Sequence, residues 1–195
     1  MILCLDVGNS QIYGGVFKGE EIKLKFRHSM LAGVSSDELG LFLKSVLREN
    51  LIEPNEIKQI ALCSVVPSLI HSLRNACIKY FNMTPFILEA GKKTGLKIKY
   101  KNPAEVGSDR IANAIGAQAI YPDRDIIVVD FGTATTICVI TSDKSYQGGV
   151  IMAGLSLSMN SLEQKTAKLK SVEILKPKDI VGQTTESSIQ SGLYY

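Results

Sequence analysis

The sequence has no tryptophan, and only two histidines and four cysteines among 195 residues. Cys4, Cys63, Cys77 and Cys138 form no C-x-x-C pair and no Cys/His cluster, which excludes the usual zinc spacings. Three of them, Cys4, Cys63 and Cys138, lie inside apolar β-like runs, where a free thiol behaves as a small hydrophobe kept reduced. His28 and His71 have no second ligand or nucleophile near them in sequence, so both read as surface or boundary residues. Charge of one sign is also lacking. Lys and Arg number 22 against 19 Asp and Glu, a net +3 with no basic run, which argues against a dedicated nucleic-acid binder. Nowhere do 18 apolar residues run together, so no transmembrane helix is expected. The first residues lack the charged and long apolar regions of a secretory signal. The expectation is a cytoplasmic protein without nucleic-acid or membrane partners. The motif G-x-x-x-x-G-K-[ST] is missing too, so any phosphate site here is not a P-loop.

What is present is 45% hydrophobic residues, 21% charged residues and 16 glycines, a composition suited to a compact α/β protein. The chain opens with the continuous apolar run Ile2-Leu3-Cys4-Leu5, expected of a strand covered on both faces, then a turn at Asp6-Val7-Gly8-Asn9-Ser10 and a second strand over Ile12 to Phe17. Ile22, Leu24 and Phe26 alternate with basic residues as a half-exposed strand does. Ser35 with Glu38 predicts a capping box, followed by helical spacing at Leu39, Phe42, Leu43, Val46 and Leu47. A strand at Ile60 to Val66 leads to Pro67, suited to the first turn of a helix carrying Leu69, Leu73, Cys77, Tyr80 and Phe81. Pro85 to Leu88 reads as a short strand, residues 91–106 as a polar, lysine-rich loop, and Asp109 to Ile120 as a helix. Ile126 to Val129 is β-branched and buried in character, and strands follow at Thr135 to Ile140 and Tyr146 to Met152. Helical patterning returns over 155–169, with solvated lysines to 178, and again after Thr184, where Thr185 reads as a plain N-cap of the final helix.

This order repeats. An apolar run, Asp-x-Gly and a second apolar run occur at Ile2–Phe17 and again at Ile126–Ile140. Two copies of one β-meander predict duplicated domains facing a shared cleft, divided at 112/113 by a helix crossing between lobes.

The chemistry lies in three segments. In Asp6-Val7-Gly8-Asn9-Ser10, a strand end presents a carboxylate able to orient Mg²⁺ through water, Gly8 admits a ligand close to the backbone, and Asn9, Ser10 and the turn amides offer donors to phosphate. The same residue types also make an ordinary β-turn. Asp130-Phe131-Gly132-Thr133-Ala134-Thr135-Thr136 repeats the pattern with three hydroxyls, and two such loops would bracket a phosphate. The threonines also suit a plain strand, but Thr133 directly after Gly132 favours phosphate contact. A lone carboxylate at Asp130 would need a counter-charge. In Gly107-Ser108-Asp109-Arg110, Asp109 at a helix start is either a dipole-stabilising residue or a base for a substrate hydroxyl. Arg110 is either a surface charge or a clamp for a substrate anion. A carboxylate aimed at the nucleophile, with charge neutralisation around phosphate, is what phosphoryl transfer needs.

These segments, with Gly148-Gly149-Val150-Ile151, Gly182-Gln183-Thr184-Thr185 and Ile189-Gln190-Ser191-Gly192, occur in the order seen in type III pantothenate kinases, and the chain resembles that family over its whole length. The family belongs with acetate and sugar kinases, heat-shock ATPases and actin. The resemblance implies an α/β fold of duplicated ribonuclease H-like (actin-like ATPase) domains around a central cleft. It also implies phosphorylation of pantothenate by ATP with Mg²⁺, the first step of coenzyme A biosynthesis. By motif, Asp6, Val7, Gly8, Asn9, Ser10, Gln11, Ile12 and Tyr13 would form the first phosphate loop and Thr133 would touch ATP. Asp109 would be the base, while Tyr100, Gly107, Ser108, Asp109 and Arg110 would hold pantothenate, with Arg110 on its carboxylate. Asp130 would bind the monovalent cation, K⁺ or NH₄⁺, and Thr185 would reach pantothenate across a homodimer interface. Ala153 stands where the family usually has proline. The family also continues beyond Tyr195 into a segment bordering the adenosine, so the second lobe is expected to be incomplete. A sugar kinase of the same superfamily, or a non-catalytic regulatory relative, is the alternative reading. The Tyr100 to Arg110 segment speaks against the first and the retained Asp6, Asp109 and Asp130 against the second.

Overall fold

The computed structural model describes residues 1–29, 33–89 and 91–195. The first sheet has the order β3-β2-β1-β4-β5, built from β1 (Ile2–Val7), β2 (Gln11–Lys18), β3 (Glu21–Ser29), β4 (Gln59–Ser64) and β5 (Phe86–Leu88). β1 runs antiparallel to β2 and parallel to β4. Two helices, α1 (Ser36–Glu49) and α2 (Pro67–Phe81), cover one face. The period-2 alternation turns Leu3, Leu5 and Val7 of β1 and Ile12 and Val16 of β2 toward Leu39, Leu43, Leu47, Leu73 and Cys77 of these helices. Each such side chain contributes about 1.5–3 kcal/mol by leaving water.

Local signals match this packing. Ser35 accepts from the Glu38 amide while the Glu38 carboxylate accepts from the Ser35 amide, the expected capping box. Pro67 occupies the first turn of α2, and Asn82 ends the helix in the left-handed conformation (φ 53°), where its amide donates to the Ile78 carbonyl.

The second sheet has the order β6-β9-β8-β7, from β6 (Lys97–Ile98), β7 (Ile126–Phe131), β8 (Ala134–Thr141) and β9 (Ser145–Ala153). Its separate core gathers Val106, Ile111, Ala114, Cys138, Ile140 and Tyr146. Between the sheets lies α3 (Ser108–Ile120), which packs on β4 of the first and on β7 and β8 of the second. Position 112/113 falls inside α3. The chain closes with α4 (Leu155–Lys165) and α5 (Thr185–Tyr194), which touch one another.

Three features differ from the sequence reading. β7 is not buried on both faces: Ile127, Val129 and Phe131 are 68%, 47% and 74% exposed. Among the described residues, β7 pairs only with β8, and only the Ile126, Val128 and Asp130 face is half-covered. The helix after Gly154 stops at Lys165 rather than continuing to 169. Thr166 is extended there and its hydroxyl caps the Leu169 amide instead, so the lysines from 168 to 178 lie on irregular chain. The 91–106 loop contains β6, paired parallel to β9 with Ile98 opposite Tyr146. No described helix is long and apolar enough to cross a membrane.

Candidate active site

The alternation that buries Leu5 and Val7 turns Asp6 to the opposite face of the first sheet. There it stands opposite Tyr13 on β2 and Cys63 on β4, and the Cys63 thiol donates to Asp6 Oδ1 at 3.3 Å. The hairpin closes with the Gly8 amide donating to the Gln11 carbonyl at 3.0 Å, leaving Asn9 and Ser10 exposed at the tip. Val7 and Ile12 are wholly buried in the helix-covered core, so only their backbone faces the loop.

The second hairpin repeats this construction. Asp130 sits one residue before the end of β7, opposite Thr136, and the Gly132 amide donates to the Ala134 carbonyl at 3.1 Å. The tips of the two hairpins meet: Ser10 Oγ and Thr133 Oγ1 lie 2.9 Å apart. The two Asp-x-Gly loops, far apart in sequence, therefore face one point.

The start of α3 organises the rest. Ser108 Oγ donates to the Ser64 carbonyl at 3.0 Å, fastening the helix to the end of β4. Asp109 Oδ1 accepts from the Arg110 amide at 2.8 Å, and a Cβ on Gly107 would lie 2.5 Å from that same oxygen. Gly107 therefore leaves the space the carboxylate fills. One turn later, on the same helix face, Asn113 Nδ2 donates to Asp130 Oδ2 at 2.8 Å. Asp130 is thus not the lone carboxylate expected from sequence, since an amide already meets one of its oxygens. The Thr136 hydroxyl, across from Asp130, is buried with no hydrogen-bond partner among the described residues.

Asp6 feels this crowding. Partial burial pushes its carboxyl above the usual range, the Cys63 thiol pulls the other way, and Asp109 and then Asp130 push it up again. Three carboxylates so gathered favour a cation or a protonated partner. No group of three or more His, Cys, Asp or Glu among the described residues forms a ready metal cage.

Arg110 points away from Asp6 into the second core, where it is only 6% exposed. Its guanidinium carbon lies 5.9 Å from the Tyr100 ring centre and 5.6 Å from that of Tyr146. Nε donates to Cys138 Sγ at 3.3 Å, while Nη2 is buried with no partner among the described residues. Burial works against its charge, and hydrogen bonds to Cys138 and Tyr100 outweigh it, so its pKa is raised. Tyr100 reaches this position because β6 tethers its segment to β9, and because Gly148 (φ 118°) presents bare backbone to the ring.

Most of the sequence-predicted residues thus converge: Asp6, Ser10, Thr133, Asp130 and Asp109 around the hairpin tips, and Tyr100, Gly107, Ser108 and Arg110 beside them. Thr185 does not join them. It is exposed in a broad groove with Phe131, Met152, Leu155 and Ser188, and none of Tyr100, Asp109 and Arg110 lines that groove. It is also not the helix cap expected from sequence: Thr184 caps α5, accepting from the Ser187 amide at 3.1 Å. Tyr13 faces an apolar hollow of about 350 Å³ shared with Phe17, Phe86 and Leu88. Sequence reading missed Asn113, Cys63, Cys138 and Tyr146. The signal for β6 was present in the alternation of Leu96, Ile98 and Tyr100 with lysines.

A family model described as type III pantothenate kinase matches residues 2–195. A type III pantothenate kinase of Legionella pneumophila (strain Corby) is 62% identical over all 195 residues, which span 76% of that relative. One of Elusimicrobium minutum is 49% identical with the same coverage. Among solved structures, a Campylobacter jejuni protein described as a Baf family transcriptional activator aligns with a TM-score of 0.56 at 21% identity, covering 97% of this chain and 72% of that one. A Sinorhizobium meliloti protein described as a 2-dehydro-3-deoxygalactonokinase aligns at 0.50 with 10% identity, covering 85% and 57%. These likenesses show an α/β fold with mixed sheets. By family match, by identity to curated relatives and by the order of its motifs, the chain belongs to the type III pantothenate kinase family.

Proposed function

We propose that the chain is an ATP-dependent kinase that phosphorylates pantothenate to 4'-phosphopantothenate, with its two sheets acting as duplicated actin-like lobes (1–112 and 113–195) on either side of a cleft. The observation that carries the substrate reading is Arg110: a buried guanidinium with an unpartnered Nη2, seated beside Asp109 on the same helix. A cation so enclosed calls for an anion, and pantothenate brings a carboxylate at one end and a primary hydroxyl at the other. Asp109 then accepts the hydroxyl proton as the new O–P bond forms to the γ-phosphorus and the bond to ADP breaks. The touching tips at Ser10 and Thr133 support phosphate binding by residues 6–13 and Thr133.

The oxygen donors around Asp130 suit a monovalent cation, K⁺ or NH₄⁺. Asp130 and the unpartnered Thr136 hydroxyl would hold it, and its charge would offset the gathered carboxylates. Asp6 suits Mg²⁺ held through water, since ionising this crowded carboxylate favours a divalent partner. Assay of the purified chain with ATP and pantothenate, beside a panel of sugars, tests the function. Turnover of pantothenate alone, faster in K⁺ than in Na⁺ at matched ionic strength, is expected. Turnover of a sugar instead would overturn the substrate reading, and equal rates in the two salts would remove the cation.

A further inference from the structure

The sulfur of Cys138 is the meeting point of two donors from different elements. Arg110 Nε on α3 donates to it at 3.3 Å, and the Tyr146 hydroxyl on β9 donates to it at 3.4 Å. Cys138 itself is on β8 and almost wholly buried. No ion pair among the described residues involves Arg110, so no carboxylate fixes this guanidinium as one usually does. The guanidinium carbon lies over the Tyr100 and Tyr146 rings, and Tyr100 also hydrogen-bonds the group. The bond from Nε to Cys138 Sγ, beside the one to Tyr100, helps to fix how the planar fork is turned.

We propose that Cys138 is a positioning residue for substrate recognition: its buried sulfur holds Arg110 Nε, with Tyr146 as its second donor, and so aims the unpartnered Nη2 at the substrate carboxylate. This rests on the reading of Arg110 as the clamp for pantothenate. A thiol in an apolar strand is otherwise plain filling, and the two roles make opposite forecasts. Filling is lost with alanine and worsened by serine, which is smaller and polar. An acceptor is lost with alanine and restored by serine.

Steady-state kinetics of the intact chain tests this with Cys138→Ala, Cys138→Ser, Arg110→Met and the double variant Arg110→Met/Cys138→Ala, with wild-type turnover of pantothenate as the control for the functional reading. Cys138→Ala should raise the KM for pantothenate about tenfold, the loss of one buried hydrogen bond, while the KM for ATP stays within about twofold. Cys138→Ser should return the pantothenate KM close to wild type even if its melting temperature falls. The double variant should be no worse than Arg110→Met alone. An unchanged pantothenate KM in folded Cys138→Ala, or a serine variant as impaired as alanine, would overturn the proposal and leave Cys138 as packing. An unchanged KM in Arg110→Met would instead overturn the clamp reading, and the positioning role with it. Should Cys138→Ala fail to fold, Cys138→Val, which fills the space without an acceptor, carries the same forecast.

Discussion

Asp6 shows how a single residue can be placed by its neighbours. Leu5 and Val7 must be buried, and in a strand that forces the residue between them to the other face. Partial burial there, and then the nearby Asp109 and Asp130, raise its pKa against the pull of the Cys63 thiol. A carboxyl whose pKa is raised on folding adds stability below its unfolded pKa, near pH 4, and loses that contribution as pH rises through the folded value. At neutral pH the ionised Asp6 therefore works against the fold. Asp6→Asn, which keeps an acceptor for the Cys63 thiol, should melt at a higher temperature than wild type at pH 7 without Mg²⁺. The gap should close toward about pH 3.5, below the unfolded pKa. Turnover should fall at the same time. An equal or lower melting temperature at pH 7 would show that crowding of the carboxylates does not strain the site. The carboxylates themselves were legible in the sequence because Asp-x-Gly at a strand end is a local pattern. Asn113 and Cys138 were not. An alanine-rich helix and an apolar strand give no local sign of the acceptor or cation that tertiary packing brings to them.

At the scale of elements, hydrophobic period and caps located the long strands and helices, because α1, α2 and β3 carry the pattern of one buried face; the apolar run of β1 reads as covered on both faces, but only its Leu3, Leu5 and Val7 face is buried. Errors came where the pattern was short or one-sided. β6 is two residues long, and β7 has apolar residues on both faces although only one is covered. At α5 the choice between Thr184 and Thr185 needed backbone geometry: Thr184 is extended and accepts from the Ser187 amide, whereas Thr185 is the first helical residue. The two threonines should therefore separate stability from function. Thr184→Ala should cost about 1 kcal/mol of stability, the usual value of a side-chain cap. Thr185→Ala should leave the melting temperature nearly unchanged and raise the KM for pantothenate. Chemical denaturation and kinetics of the two variants check this. A stability loss at Thr185 equal to that at Thr184 would make it part of the fold rather than of a site.

For the whole molecule, the telling feature is what one chain does not bring together. α3 links the two sheets and gathers Asp109, Asn113 and Arg110 against Asp6, Asp130 and Cys138, but Thr185 opens on a different groove, lined by Phe131, Met152 and Leu155. If Thr185 serves pantothenate, as the family resemblance implies, the simplest geometry is a twofold dimer in which each chain lends its threonine to the partner's site. Subunit mixing tests this directly. In a dimer of one Asp109→Asn chain and one Thr185→Ala chain, one site carries both lesions and the other carries neither. Two separately impaired proteins should then regain activity on mixing, up to about a quarter of the wild-type value when half of the dimers are mixed and one site in each is intact. Asp109→Asn alone should lower kcat by about 10²–10⁴, the range for loss of a general base, so the recovered signal stands well clear of its background. If heterodimers form and activity stays at the average of the two variants, Thr185 acts within its own chain. The groove it lines would then have to close on Arg110 by a movement of α5.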